Sequence, residues 1–157
     1  MQLTRAADYG VRVMMVLAGS EEGSRVSLSE LTKATGAPAS FLSKVLQSLA
    51  HSELINSRRG LGGGFEISQQ GRASSIRAVV EAVDGPIVLN VCLADGSRCK
   101  RSVWCPAHPV WAKAQRAMLE VLEESHMNEL ADQGAVNEFV LVAKNCIARA
   151  ATSQLAD

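Results

Sequence analysis

Three of the four cysteines and one of the three histidines lie in the stretch CLADGSRCKRSVWCPAH, from Cys92 to His108. Their spacing is C-x6-C-x5-C-x2-H. Thiols at this density can pair as disulfides, hold zinc, act as nucleophiles or ligate an iron–sulfur centre. Disulfide frameworks belong to secreted chains. The N-terminus MQLTRAADYGVRVMM has no continuous apolar segment behind a basic cluster, so a secretory signal is not expected. Structural zinc draws on ligand pairs roughly two to four residues apart, and only Cys105 and His108 meet that spacing. A catalytic thiol needs one activated cysteine and a positioned base, which leaves the other two unexplained. Widely spaced sulfur donors suit the bulkier iron–sulfur cluster, whose soft iron favours thiolate. Arg98, Lys100 and Arg101 lie between the cysteines, where they can offset the charge of gathered thiolates. Spacing alone leaves the four chemistries open. Cys146 stands at helical spacing from apolar Phe139 and Val142 and reads as a buried, inert thiol. His51 and His126 have no partner in sequence and are expected on the surface.

Such a loop needs a scaffold, and 157 residues suffice for one domain with a core plus a dimerisation arm. Hydrophobic residues make up 47% and charged residues 20%, an ordinary balance for a globular chain. No stretch approaches the ~20 apolar residues of a membrane helix. The expected compartment is the cytoplasm, where clustered thiols stay reduced. Formal net charge is zero, but residues 1–72 carry eight Lys/Arg against six Asp/Glu and residues 73–157 carry eight against ten. A nucleic-acid partner is therefore not announced by charge.

Leu3, Ala7, Val11, Met14 and Ala18 recur at helical spacing, predicting a first helix over 3–19. SLSELTKATG follows a polar break, with Ser27 and Glu30 as a capping box and Gly36 as the stop. After the turn APAS, in which Ser40 offers a new N-cap, a third helix over 40–52 would bury Leu42, Val45, Leu46 and Leu49. Its other face shows Ser40, Phe41, Ser43, Lys44, Gln47 and Ser48 and contains no acid. Next, LINSRRGLGGGFEIS alternates apolar residues on both sides of a glycine-rich turn and predicts a β-hairpin with Arg58 and Arg59 at its tip. A dinucleotide loop is excluded, because G-x-G-x-x-G would need glycine at Phe65 and no helix opens there. A fourth helix is expected over 75–83, stopped by DGP at 84–86. A long helix follows over 109–126, with Val110, Ala114, Ala117 and Val121 on one stripe and Trp111, Met118 and Leu122 on a second. A helix apolar over so much of its circumference packs on two sides, one of them another subunit. A last helix is expected over 135–150.

Helix-turn-helix plus a hairpin with basic tip residues is the pattern of a winged helix. The fold class expected is mainly α, a winged helix-turn-helix with a short β-hairpin wing and a long dimerisation helix. It divides into a DNA-binding domain at 1–85, a cysteine-rich sensor loop at 86–108 and a dimerisation and C-terminal part at 109–157. The third helix would enter the major groove with Ser40, Phe41, Ser43, Lys44 and Gln47. Arg58 and Arg59 would meet the backbone or the minor groove. A two-fold dimer doubles the contacts and reads a palindromic operator.

The opening QLT…DYG.R, the RGxGGG wing at 59–64 and the cysteine trio together resemble the Rrf2 family of bacterial winged-helix regulators, over most of the chain. The resemblance implies a homodimer that binds palindromic promoters, taken here as a repressor and not an enzyme. It implies that Cys92, Cys99 and Cys105 hold an iron–sulfur cluster sensing nitric oxide, redox or iron status. It also places base and groove contacts around Ser40, Phe41, Ser43 and Lys44 and at Arg59. In the family the fourth ligand differs by branch. A histidine just beyond the third cysteine, here His108, goes with IscR-like members and a two-iron cluster. A carboxylate in the first helix, here Asp8, goes with NsrR-like members and a four-iron cluster. QLTRAADYG around Asp8 points to the four-iron form. The gap between the first two cysteines matches neither branch, being wider than in IscR and NsrR members and narrower than in RirA-like ones. A cluster-free or zinc-binding thiol sensor on the same fold is the alternative.

Overall fold

A computed structural model describes residues 3–60, 62–94 and 99–134. The chain is mainly helical: α1 (Arg5–Ala18), α2 (Leu28–Thr35), α3 (Ala39–His51), β1 (Ile55–Arg58), β2 (Gly64–Ile67), α4 (Gln69–Ala73), α5 (Ile76–Asp84), α6 (His108–Glu124) and α7 (Met127–Gly134). A 3-10 turn, Val91–Leu93, lies between α5 and α6. The helix expected over 135–150, with Cys146, lies outside the described residues, as does Arg98.

Local chemistry explains where the helices begin. Thr4 caps α1 by accepting from the Ala7 amide, and its hydroxyl donates to the Asp84 carboxylate at 2.7 Å, tying the start of α1 to the end of α5. In α2 the Ser27–Glu30 capping box is complete in both directions, and Gly36 closes the helix at φ 70°. Ser68 and Ser75 cap α4 and α5 through the Gly71 and Ala78 amides. The expected cap at Ser40 is corrected: Pro38 occupies the N-cap of α3 without a side-chain bond, and Ser40 sits inside the first turn. Pro38 supplies the extended backbone, φ −60° and ψ 137°, from which the helix can start.

The core is built from α1, α2, α3, the hairpin and α5, with Val13, Met14, Leu31, Leu42, Leu49 and Val79 fully buried. Two later residues join it, Met127 at 0% exposure and Ala131 at 4%, both from α7. α7 was not expected from the sequence. It starts because α6 ends at Ser125, whose carbonyl accepts from the Ile76 amide, while the Met127 amide donates to Ser74. His126 is fastened in the same corner, its Nδ1 lying 3.1 Å from the Ala73 carbonyl. That corrects the expectation of a partnerless surface histidine.

Gly10, the glycine of DYG, lies where α1 crosses α3 and α5. A Cβ there would stand 3.0 Å from a Val83 methyl and 3.7 Å from methyls of Val45 and Val79. Its missing side chain sets how closely α1 approaches both helices. One turn earlier on α1, Ala7 joins Val80 and Ile87 in a second buried cluster, against which Met118, Leu119 and Leu122 of α6 pack.

Candidate nucleic-acid interface and cysteine segment

α3 buries Leu42, Val45, Leu46 and Leu49 and turns Ser40, Phe41, Lys44 and Gln47 to solvent, with Ser43 half-buried. Three-to-four-residue spacing of the buried set makes this division inevitable on a 3.6-residue helix. Ser43 donates to the Ala39 carbonyl at 2.9 Å, so its proton is engaged while its oxygen can still accept. Phe41 is 38% exposed, a large apolar side chain at the first turn of a helix whose face is otherwise polar. Its ring meets Tyr9 of α1 edge-on, with centroids 5.7 Å apart.

The wing is an antiparallel hairpin pairing Ile55 with Ile67 and Arg58 with Gly64. Val26 adds a third strand position, exchanging both backbone bonds with Phe65 at 2.9 Å. Ile55 and Ile67, paired at the base of the hairpin, are buried, while Asn56, Ser57, Arg58 and Arg59 run outward exposed. The tip is tight at Gly63, whose amide donates to the Gly60 carbonyl at 2.9 Å. A Cβ at Gly63 would lie 2.4 Å from the Arg58 carbonyl oxygen, so the turn presenting both arginines accepts only glycine there. α3 and the wing are thus two outward projections of one core. Arg12 was missed by the sequence reading, although its side chain is 41% exposed beside Tyr9: its guanidinium lies 5.7 Å from the Tyr9 ring centroid and it pairs with Asp8 at 2.8 Å. DYG.R contains all three residues at i, i+1 and i+4 spacing, the signal that could have found them.

The cysteine segment leans on the N-terminal half of α6. Cys92 is in the 3-10 turn, and the Leu89 amide donates to the Gln115 side chain at 2.9 Å, holding the segment's start against α6. Cys99 and Cys105 belong to successive turns. The Cys99 carbonyl accepts from the Ser102 amide and hydroxyl, the Arg101 carbonyl from the Cys105 amide, and the Cys105 carbonyl from the His108 amide. His108 is the first residue of α6 and half-buried. All three cysteines are half-buried. Lys100 and Arg101 are exposed, and Arg101 lies 6.0 Å from the ring centroid of Trp104, itself 68% exposed.

The donor types suit iron–sulfur ligation: three soft thiols on one segment, with an imidazole beside the third. Their arrangement does not yet do so. Among the described residues no three His, Cys, Asp or Glu side chains stand close enough to hold a metal ion. Asp8 is exposed on α1 and engaged with Arg12. The structure therefore places Cys92 in the 3-10 turn, Cys99 and Cys105 in the turns before α6 and His108 at its start, without gathering them, and leaves Asp8 apart on α1.

Comparison with known proteins gives this arrangement a context. Residues 3–133 match the family model Rrf2, described as an iron-dependent transcriptional regulator. A relative from Mycobacterium tuberculosis, named an HTH-type transcriptional regulator, is 32% identical over 89% of this chain and 86% of its own. The transcriptional regulator IscR of Vibrio vulnificus is 28% identical over 88% of this chain and 82% of its own. Among solved structures, CymR, the global cysteine regulator of B. subtilis, shares the fold at TM-score 0.69 and 22% identity, covering 85% of this chain and 98% of that one. Among the described residues no helix is long and apolar enough to cross a membrane.

Proposed function

The chain belongs to the Rrf2 family of transcriptional regulators, and on that premise we propose that it is a homodimeric, sequence-specific DNA-binding regulator that senses nitric oxide, redox or iron status through its 92–108 segment. The observation that carries this reading is physical continuity: α1 packs on the recognition helix α3 and on α5, and α5 in turn carries the sensor-bearing α6, whose Met118, Leu119 and Leu122 pack on the cluster of Ala7, Val80 and Ile87.

In this reading α3 enters the major groove, with Ser40, Ser43, Lys44 and Gln47 reaching base edges or phosphates and Phe41 making apolar contact. Arg58 and Arg59 grip the adjacent backbone or minor groove. Two copies present two such units to a palindromic operator. Cys92, Cys99 and Cys105 would hold an iron–sulfur cluster, with His108 or Asp8 completing the ligand set and the four-iron form preferred. When bound, such a cluster supplies iron–thiolate bonds that oxidants and nitric oxide can attack. The chain's own residues carry the response. Loop rearrangement moves α6 at Gln115, and α6 packs through Met118, Leu119 and Leu122 on the cluster in which Val80 of α5 meets Ala7 of α1. A shift of α1 carries Tyr9 against Phe41 at the first turn of α3. A change of partner at Asp8 would release Arg12 on the same helix face. A coupling of ~1–3 kcal/mol changes operator affinity about 5- to 150-fold.

One observation favours a second reading, a cluster-free or zinc-binding thiol sensor. The thiols do not converge among the described residues, and the fold is shared with a cysteine regulator. Anaerobic purification separates the two. Iron and acid-labile sulfide bound per chain, lost in Cys92→Ala, with salt-sensitive binding to an operator selected from random DNA, supports the first. A colourless protein that binds the operator and responds to peroxide supports the second. A chain that ignores DNA in every state sinks both. Resonance Raman spectra of Asp8→Ala and His108→Ala then decide the fourth ligand.

A further inference from the structure

A cavity of about 420 Å³ opens between Arg77 of α5, Leu93 of the 3-10 turn and one face of α6. That volume suits a small molecule. Its floor is apolar, made by Leu93, Ala112 and Leu119, each half-buried. Its walls are charged and polar, with Arg77, Gln115, Arg116, Glu120 and Glu123. Neither the DNA-reading surface nor the thiols use these groups. At ~100° per residue, Ala112, Arg116 and Leu119 lie on the side of α6 opposite Val110, Ala114, Ala117 and Val121, so a second copy on that stripe does not fill the cavity.

The wall groups divide into those already engaged and those left for a ligand. Arg77 lies 3.3 Å from Glu81 and 3.7 Å from Glu123, and the Glu123 carboxylate also accepts from the Ser75 hydroxyl at 3.3 Å. The Gln115 carbonyl oxygen accepts from the Leu89 amide, which leaves the Gln115 amide protons to donate. Arg116 and Glu120 are exposed, and among the described residues neither is in an ion pair. They stand at i and i+4 with the cation first, the order in which helical pairing is weaker.

We propose that this cavity binds a free α-amino acid with a short apolar side chain. Its carboxylate meets the Arg116 guanidinium and the Gln115 amide, its ammonium meets Glu120, and its side chain lies on Leu93, Ala112 and Leu119. A plain carboxylate leaves Glu120 unanswered, and a plain amine leaves Arg116 so. A polyanion meets Glu120 and Glu123 as like charges. Leu93 adjoins Cys92, so an occupied cavity holds the 3-10 turn against α6 and brings amino-acid supply to bear on the cysteine segment. That consequence rests on the reading of residues 92–108 as the sensor; the binding site does not.

Isothermal titration calorimetry of the full-length, cluster-free chain without DNA tests the site with L-alanine, L-valine, L-leucine and L-methionine. At least one is expected to bind at one molecule per chain, and Arg116→Gln and Glu120→Gln each to weaken it at least about tenfold. Its deaminated and decarboxylated analogues, for leucine isocaproate and isopentylamine, are expected to lose at least as much. Far-UV circular dichroism checks that the two exposed substitutions leave the fold intact. Dissociation constants all weaker than about 10 mM overturn the site. So do variants that bind the amino acid as tightly as the wild type, and an analogue that matches its parent overturns the zwitterion. Because the titration contains no operator, each of these failures leaves the DNA-binding reading standing. A chain that binds the amino acid and ignores DNA keeps the site and loses the regulator.

Discussion

The winged-helix half and the half that carries the cysteines solve the problem of stability in opposite ways. In the first, residues at 13–79 close a core with a run of fully buried side chains, and four helices start at a Thr or Ser that accepts from their first turn. In the second, α6 has no buried residue, its N-cap Ala107 makes no side-chain bond, and Val91, Val103, Trp104, Val110 and Val121 are all more than half exposed. The difference fits the division of labour proposed for the two halves. The DNA-binding half is complete within one subunit. On the proposed reading, the half that carries the cysteines is completed from outside, by a ligand for its thiols and by a second copy for its apolar face.

The contrast can be broken by substitution. Leu42→Ala removes a fully buried side chain from the core and is expected to cost about 2–5 kcal/mol in urea unfolding of the cluster-free protein. Met127→Ala tests whether α7 belongs to that core. A loss of about 2–3 kcal/mol is expected, and a loss under ~0.5 kcal/mol would make α7 a passive appendage. Ser27→Ala removes half of the capping box and should lower stability by ~1 kcal/mol, read as a drop in melting temperature. Cys92→Ser in the cluster-free protein should change unfolding by less than ~0.5 kcal/mol while abolishing iron binding, because Cys92 lies outside the buried core. If it destabilises as much as Leu42→Ala, the division between a finished half and an unfinished one is wrong.

Legibility in the sequence followed the same division. α1, α2, α3 and the hairpin were readable because local signals agree with tertiary burial there: periodic apolar residues, the Ser27–Glu30 box, Gly36, and alternation about the glycines. The long helix was expected over 109–126 and is found at His108–Glu124. Its two stripes separate in space: Met118 and Leu122 cover the Ala7 cluster, while Val110 and Val121 face solvent. α4 went unseen because five residues with Gly71 at the centre carry no helical period. α7 went unseen because the break before it is made by distant backbone bonds to Ser74 and Ile76. The Tyr9–Phe41 contact depends on two helices crossing and has no sequence spacing of its own, whereas Asp8, Tyr9 and Arg12 stand together in DYG.R. Cysteine spacing identified the donors, but it carries no information on whether they converge.

The position of Met127 also sets an order in time. Chains emerge from the ribosome N-terminus first, and domains fold as units once their parts are present. Here the core of the winged helix contains a fully buried side chain that lies beyond the cysteine segment and beyond α6. A nascent chain that has made both α3 and the wing still lacks this piece of their foundation. The core beneath the DNA-reading surface is therefore closed only after residues 92–108 have been synthesised, which on the proposed reading means that each new molecule carries its sensing segment from the start.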